Sequence, residues 1–348
     1  MHGRHAPQRR ARRADRRAPA ASWGDRERLA SGHRQRQGAL VRRAVAIGGG
    51  TGLPVVLRCL ASLDFDVTAV VTVADDGGSS GMLRRELGVL PPGDIRNCLV
   101  ALAAPDSLLA DVFQYRFPAG EGLIGHALGN LIIAALAEMR GGFAEAIEGA
   151  SELLGVRGHV LPSTLSDVVL FAEDDNGGRV MGQENVAHSV ARVCSVHLEP
   201  TSPPAFPPVL DAIRAADVVV LGPGSLYTSI MPNLLIDGVA EALCATDARI
   251  IYICNVANQR GETTGLDAAG HVRALEEHGL LGAIDVVLVH DSDTDPLPEG
   301  VSPVDGGADA QARIRARGIA VIATDLVDRL APMHHDPELL CAALRRLA

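Results

Sequence analysis

The chain has 348 residues, 47% of them apolar but only 3% aromatic, so its core must be built from Ala, Val, Leu and Ile. None of its 32 basic residues is a lysine, which excludes P-loop, Schiff-base and protein-kinase lysine chemistry. The net charge of −10 is unevenly placed: residues 1–43 hold 13 Arg against three acids, and the remainder holds 19 Arg against 39.

Residues 1–42 lack apolar periodicity and a secretory apolar core, and they contain the only tryptophan, Trp23. They read as a disordered Arg-rich extension, or as an over-long start, ahead of a single α/β domain over residues 43–348. The six cysteines form no CxxC pair, which suits a reducing cytosol and a cytoplasmic location. No apolar run approaches the roughly 20 residues of a transmembrane helix.

In chain order, Ala44–Ile47 predicts a short strand that runs into Gly48-Gly49-Gly50-Thr51-Gly52. The helix that follows opens with Pro54 near a first-turn position that needs no N–H donor. A glycine turn feeding a helix start favours anions, because unpaired N–H groups and the helix dipole act together. Residues 67–73 predict a second buried strand, ending in Asp75, Asp76 and the Gly77–Gly81 loop with Ser79 and Ser80. Asp94 reads as the N-cap of a helix carrying Arg96 and Asn97. His126 and Asn130 precede an apolar helix, and another helix covers Phe143 to Leu154.

From residue 158 to about 200 the runs GHVLP, DVVLFAED, RVMGQ and CSVHLEP predict an antiparallel insertion, with a turn at Asp175–Gly178. The βα rhythm then returns. A strand at 217–221 ends in Gly222, Gly224, Ser225, Tyr227 and Thr228, with Asn233 as the expected cap of the next helix. A strand at 249–254 ends at Asn255, strands follow at 284–290 and 319–323, and a last helix starts at Pro337 behind Asp336. The fold class is α/β: a doubly wound, mostly parallel, Rossmann-like sheet with a small inserted antiparallel segment.

Loops at the carboxyl ends of the strands thus deliver Gly, Ser, Thr, Asn and Asp to one rim, with Arg84 and Arg96 suited to phosphate. Asp75 and Asp76 suit a ribose hydroxyl or a Mg²⁺ ion. A dinucleotide fingerprint fails, since Leu53 and Val55 stand where its third glycine belongs. The GxSxG string at 77–81 follows two carboxylates, a poor setting for a serine nucleophile. His126 reads equally as a phosphate contact, a general acid or a backbone-bonded helix-entry histidine.

Gly48–Gly52, ADDGGSSG at 74–81, PPGDIRNCL at 91–99, FQYRF at 113–117, GHALGN at 125–130, GPGSLYTSIMPNLL at 222–235 and Gly261-Glu262-Thr263 together resemble the gluconeogenesis factor family, relatives of 2-phospho-L-lactate transferase. The resemblance spans residues 43–347. It departs from the family pattern at Ala257-Asn258-Gln259 and at Gly270, before His271. It implies a cytoplasmic protein that binds a UDP-sugar, UDP-N-acetylglucosamine above all, and that regulates cell-wall precursor use and cell shape on gluconeogenic carbon. The nucleotide and phosphate residues it implies are Gly48, Gly49, Gly50, Thr51, Gly52, Ser79, Ser80, Arg96, Asn97, His126, Asn130, Gly222, Gly224, Ser225, Tyr227, Thr228 and Asn255. The alternative is a transferase that moves a phospholactyl group from a nucleoside-diphosphate donor. Asp75 and Asp76 would then be catalytic and hold Mg²⁺, with Phe113, Tyr115 and Tyr227 as the available stacking residues. Cell-wall synthesis proteins are the expected partners, nucleic acid is not, and a homo-oligomer is left open.

Overall fold

The computed structural model describes residues 41–189, 191–292 and 297–347. The Arg-rich extension with Trp23 therefore lies outside the described residues, apart from Val41 and Arg42. Apolar runs become seven parallel strands in the order β12-β10-β8-β7-β1-β2-β3. Their ranges are β1 Arg43–Gly48, β2 Asp66–Val71, β3 His159–Pro162, β7 Val218–Leu221, β8 Arg249–Ile253, β10 Val286–His290 and β12 Ala320–Thr324, while the short β9 Ala257–Asn258 and β11 Ser302–Pro303 pair antiparallel outside this sheet. Strand side chains alternate between two cores: Val45 and Ile47 enter one helix layer, Ala44 and Ala46 the other. Both faces are covered, which is why the strands read as unbroken apolar runs.

The chain first builds outward from β1 to β2 and β3, then returns to the other side of β1 with β7 and builds outward again. The direction reverses between β1 and β7, so the loops after these two strands flank the crevice where open α/β sheets bind ligands.

Three local expectations are corrected. The GHVLP run is not part of the antiparallel insertion: β3 pairs in parallel with β2 as the sheet edge. The insertion is the three-stranded sheet of β4 (Val169–Asp174), β5 (Arg179–Met181) and β6 (Val193–Glu199), with β4 in the centre. Asp174 Oδ1 accepts the N–H groups of Asn176 and Gly178 to close its first turn. Asp94 is not an N-cap: its helix runs Gly93–Ala101 behind Pro92, with Asp94 in the first turn. Asn233 is likewise no cap, since it lies inside the short helix Met231–Leu234, which follows a π-helical turn at Leu226–Ile230. Asp336 does cap the last helix, Pro337–Arg345, accepting from the N–H groups of Glu338 and Leu339.

Candidate functional site

At the reversal point the two glycine loops close on each other through backbone. A Cβ on Gly52 would stand 2.4 Å from the carbonyl oxygen of Pro223, and one on Gly224 would stand 3.3 Å from the Gly49 carbonyl oxygen. Only glycine permits that approach. Gly50 has φ +66, and its nearest neighbour in the direction of a Cβ is Ser229 Oγ at 3.6 Å. Thr51 is exposed at the crest of the turn, and Gly52 leads into the helix Leu53–Ser62, which has no side-chain cap. Asn233, buried beneath, donates to the carbonyl oxygens of Ser229 at 2.8 Å and Gly48 at 3.3 Å, and so ties the two loops together.

Each loop already holds a carboxylate of the chain. Gly50 N–H donates to Asp94 Oδ2 at 2.7 Å. Burial pushes the Asp94 carboxyl up to about 6; the Gly50 hydrogen bond opposes this and the Asp75 charge adds to it. In the loop after β7, Glu262 Oε1 accepts the N–H groups of Tyr227 at 2.8 Å and Thr228 at 3.2 Å. Glu262 is 0% exposed, and its Oε2 has no partner among the described residues. Burial raises it to about 7 against those same donors. The amides of Gly50, Tyr227 and Thr228, which the sequence suggests are bare, are thus bonded internally.

The acidic loop after β2 is fixed from several sides. Asp75 accepts Gly77 N–H at 3.1 Å, and burial raises its pKa, with the charges of Asp76 and Glu184 adding to that. Asp76 Oδ1 accepts Glu184 N–H at 2.9 Å, which ties the loop to the inserted sheet. Arg84 is committed there too, donating to the Val168 carbonyl at 2.7 Å and pairing with Asp167, so it is not a free phosphate ligand. Ser80 Oγ accepts Gly93 N–H at 3.1 Å.

The remaining candidates form one buried polar chain. His126 Nδ1 and Ser79 Oγ are 3.0 Å apart, and Asn130 Nδ2 donates to the same hydroxyl at 3.1 Å. Arg96 donates to Asn130 Oδ1 at 3.1 Å and to Asn97 Oδ1 at 2.7 Å. Asp94 joins this chain to the first glycine turn, because it shares a helix with Arg96 and bonds Gly50. Ser225 Oγ donates to Gln259 Oε1 at 2.7 Å, and Asn255 is half-buried past the end of β8.

Phe113 and Tyr227 are buried in the core and offer no stacking face; Tyr115 is exposed and packs edge-on to Phe117. His271 is a core histidine, its Nδ1 3.2 Å from Tyr252 Oη and its Nε2 3.3 Å from Asn258 Oδ1. Beside Asn258 a cavity of about 630 Å³ opens, lined by Arg192, Asp267, Arg273 and Arg313 among others. Sequence reasoning assigned no site role to Asp94, Asn233, Gln259 or Glu262. The one available signal was an acid among small polar residues in a loop, as in Gly261-Glu262-Thr263.

Residues 44–327 match the family model described as 2-phospho-L-lactate transferase CofD. A relative from Nostoc sp. is 50% identical over 249 residues, 71% of this chain but only 55% of that protein's own length. The gluconeogenesis factor of Bacillus subtilis is 46% identical over 286 residues, 80% of this chain and 89% of its own. A crystal structure of a Bacillus halodurans protein superposes with a TM-score of 0.82 at 40% identity, covering 88% of this chain and all of that one. The chain belongs to the CofD-related family of 2-phospho-L-lactate transferases and gluconeogenesis factors. Among the described residues no helix is long and apolar enough to cross a membrane.

Proposed function

We propose that this protein is a cytoplasmic nucleotide-sugar-binding regulator. Its ligand is UDP-N-acetylglucosamine, and its role is to adjust cell-wall precursor use and cell shape during growth on gluconeogenic carbon. The observation that carries this reading is the closure of Gly48–Gly52 on Gly222–Ser225 at the sheet's reversal point, which brings two glycine-rich turns together beside the sheet's carboxyl edge. A diphosphate suits the peptide N–H groups of such glycine turns, in competition with Asp94 at Gly50. The name of the Bacillus subtilis relative supports the metabolic role. Occupancy would bias the loops that a cell-wall synthesis protein reads. Isothermal calorimetry with UDP-N-acetylglucosamine tests the reading: saturable heat is expected, and none at millimolar ligand with folded protein ends it.

The Asp75–Asp76 pair favours a second reading, a transferase of the kind named by the family model. Among the described residues no three His, Cys, Asp or Glu side chains gather into a metal cage. Mg²⁺ sites commonly use one or two carboxylates and complete their shell with water and substrate phosphate. Asp75 and Asp76 fit that role, and Mg²⁺ there would offset phosphate charge. Incubation with a deazaflavin acceptor and nucleoside-diphosphate-activated phospholactate separates the readings: coupled product means an enzyme.

A further inference from the structure

The cavity beside Asn258, about 630 Å³ in volume, is lined by four arginines, Arg192, Arg273, Arg313 and Arg317, against two aspartates, Asp267 and Asp305. That balance runs against the rest of the molecule, where residues 44–348 hold 19 Arg and 39 acids. The arginines come from separate segments. Arg192 precedes the inserted strand β6, Arg273 lies on the helix Ala268–Leu275, and Arg313 and Arg317 lie on the helix Ala308–Arg315 and the turn behind it. A concave wall with an excess of one charge concentrates ligands of the other sign. The volume falls within the usual range of small-molecule sites. No residue of the glycine turns at 48–52 and 222–225 lines this cavity.

Its walls are held by the fold's own bonds. Asn258 is 3% exposed; its Nδ2 donates to the carbonyl oxygens of Leu266 at 2.8 Å and Pro303 at 3.4 Å, and its Oδ1 lies 3.3 Å from His271 Nε2. Two of the arginines are pinned by acids: Arg313 pairs with Asp267 and Asp309, and Arg317 pairs with Glu276. A guanidinium carries more N–H donors than these pairs use, so both keep donors for a ligand. Arg273 pairs with Glu277 at 3.6 Å, where both side chains are half-exposed or more. Arg192 is exposed and has no acid partner among the described residues.

We propose that this cavity is a second ligand site, separate from the glycine turns, and that it takes a phosphorylated sugar. The arginines match the phosphate, because a guanidinium fork pairs with phosphate oxygens and a monoester dianion offsets more than one positive charge. Arg192, with no acid beside it, is the guanidinium left for the ligand. The carboxylate of Asp305 and the hydroxyl of Ser302, also in the wall, match sugar hydroxyls, which bare phosphate lacks. The inference goes beyond the nucleotide reading and does not depend on it.

The test is calorimetry of the full chain with ribose 5-phosphate at fixed ionic strength, with ribose, inorganic phosphate and UDP-N-acetylglucosamine as separate arms. Ribose 5-phosphate should bind saturably and more tightly than phosphate, ribose should give no heat, and UDP-N-acetylglucosamine should bind alongside without displacing it. Arg192→Ala changes an exposed side chain and should weaken ribose 5-phosphate at least about tenfold, the size expected for a lost charge-assisted hydrogen bond. Adding Arg273→Ala to it should abolish that binding and leave the heat of UDP-N-acetylglucosamine unchanged. No saturable heat with ribose 5-phosphate at millimolar concentration, equal binding of phosphate, an unchanged Arg192→Ala, or displacement by the nucleotide sugar would each overturn the assignment. Absence of UDP-N-acetylglucosamine binding alone would count against the nucleotide reading and leave this one standing.

Discussion

Asp94 reaches back across 44 residues to accept the amide proton of Gly50 at 2.7 Å, inside the turn best built for an external anion. The turn therefore carries a resident negative charge whenever Asp94 is ionised. With the carboxyl raised to about 6, that charge is partly neutralised in mildly acidic solution.

Affinity for UDP-N-acetylglucosamine should accordingly rise as pH falls from 8 to 5.5, since the sugar diphosphate does not titrate in this range and Asp94 does. One charge at close range through protein is worth about tenfold or more in affinity. Asp94→Asn keeps an acceptor for Gly50 and removes the charge, so it should bind the ligand tightly at both pH values. Calorimetry at the two pH values checks this. A wild-type affinity that is flat with pH, or a variant that keeps the wild-type slope, removes Asp94 from the account.

Glu262 gives a stability prediction with a definite sign. Burial lifts its carboxyl from 4.5 to about 7 in the fold. The folded state holds the proton more tightly, so its stabilising effect is full below about pH 4.5 and is lost as pH rises through 7. The loss above pH 7 is about 3 kcal/mol. His271 works the other way: burial lowers it to about 4, so stability falls as pH drops from 6.5 toward 4. Glu262→Gln should match wild type near pH 5 and melt about 5 °C or more higher at pH 8. A melting difference that does not grow between pH 5 and pH 8 contradicts the burial of an ionised Glu262.

Gly52 and Gly50 should separate crowding from backbone strain. Gly52→Ala drives a Cβ to within 2.4 Å of the Pro223 carbonyl oxygen, a backbone atom that cannot swing aside. A loss of about 2–3 kcal/mol is expected. Gly50→Ala has room but must hold φ +66, so about 1 kcal/mol is expected there. Urea denaturation of both variants gives the ordering, and a Gly50→Ala that costs more than Gly52→Ala would contradict the close approach of Gly52 to Pro223.

Much of this architecture could be read from local pattern. The β-branched run after residue 66 became β2, Pro54 opened its helix, Asp175–Gly178 turned a hairpin, and Asp336 capped the last helix. In each case the deciding interaction spans a few residues. The GHVLP run was misassigned because its apolar residues suit either pairing direction, and only the β2 edge decides between them.

The amino-acid sequence alone determined six of the seven parallel strands, their polar, mostly glycine-bearing carboxyl ends and the resulting rim, because turn chemistry and hydrophobic periodicity act over short range. Tertiary structure decided which carboxylate meets which amide: Asp94 with Gly50, Glu262 with Tyr227, and Arg96 with two amides rather than an acid. Apart from the adjacent Asn97, those partners lie tens of residues apart and meet only through the tertiary packing around the strand order β8-β7-β1-β2, which local propensity does not encode. Burial in that packed rim, rather than any feature of the residues themselves, then raises the Asp94 and Glu262 carboxyl groups toward neutrality.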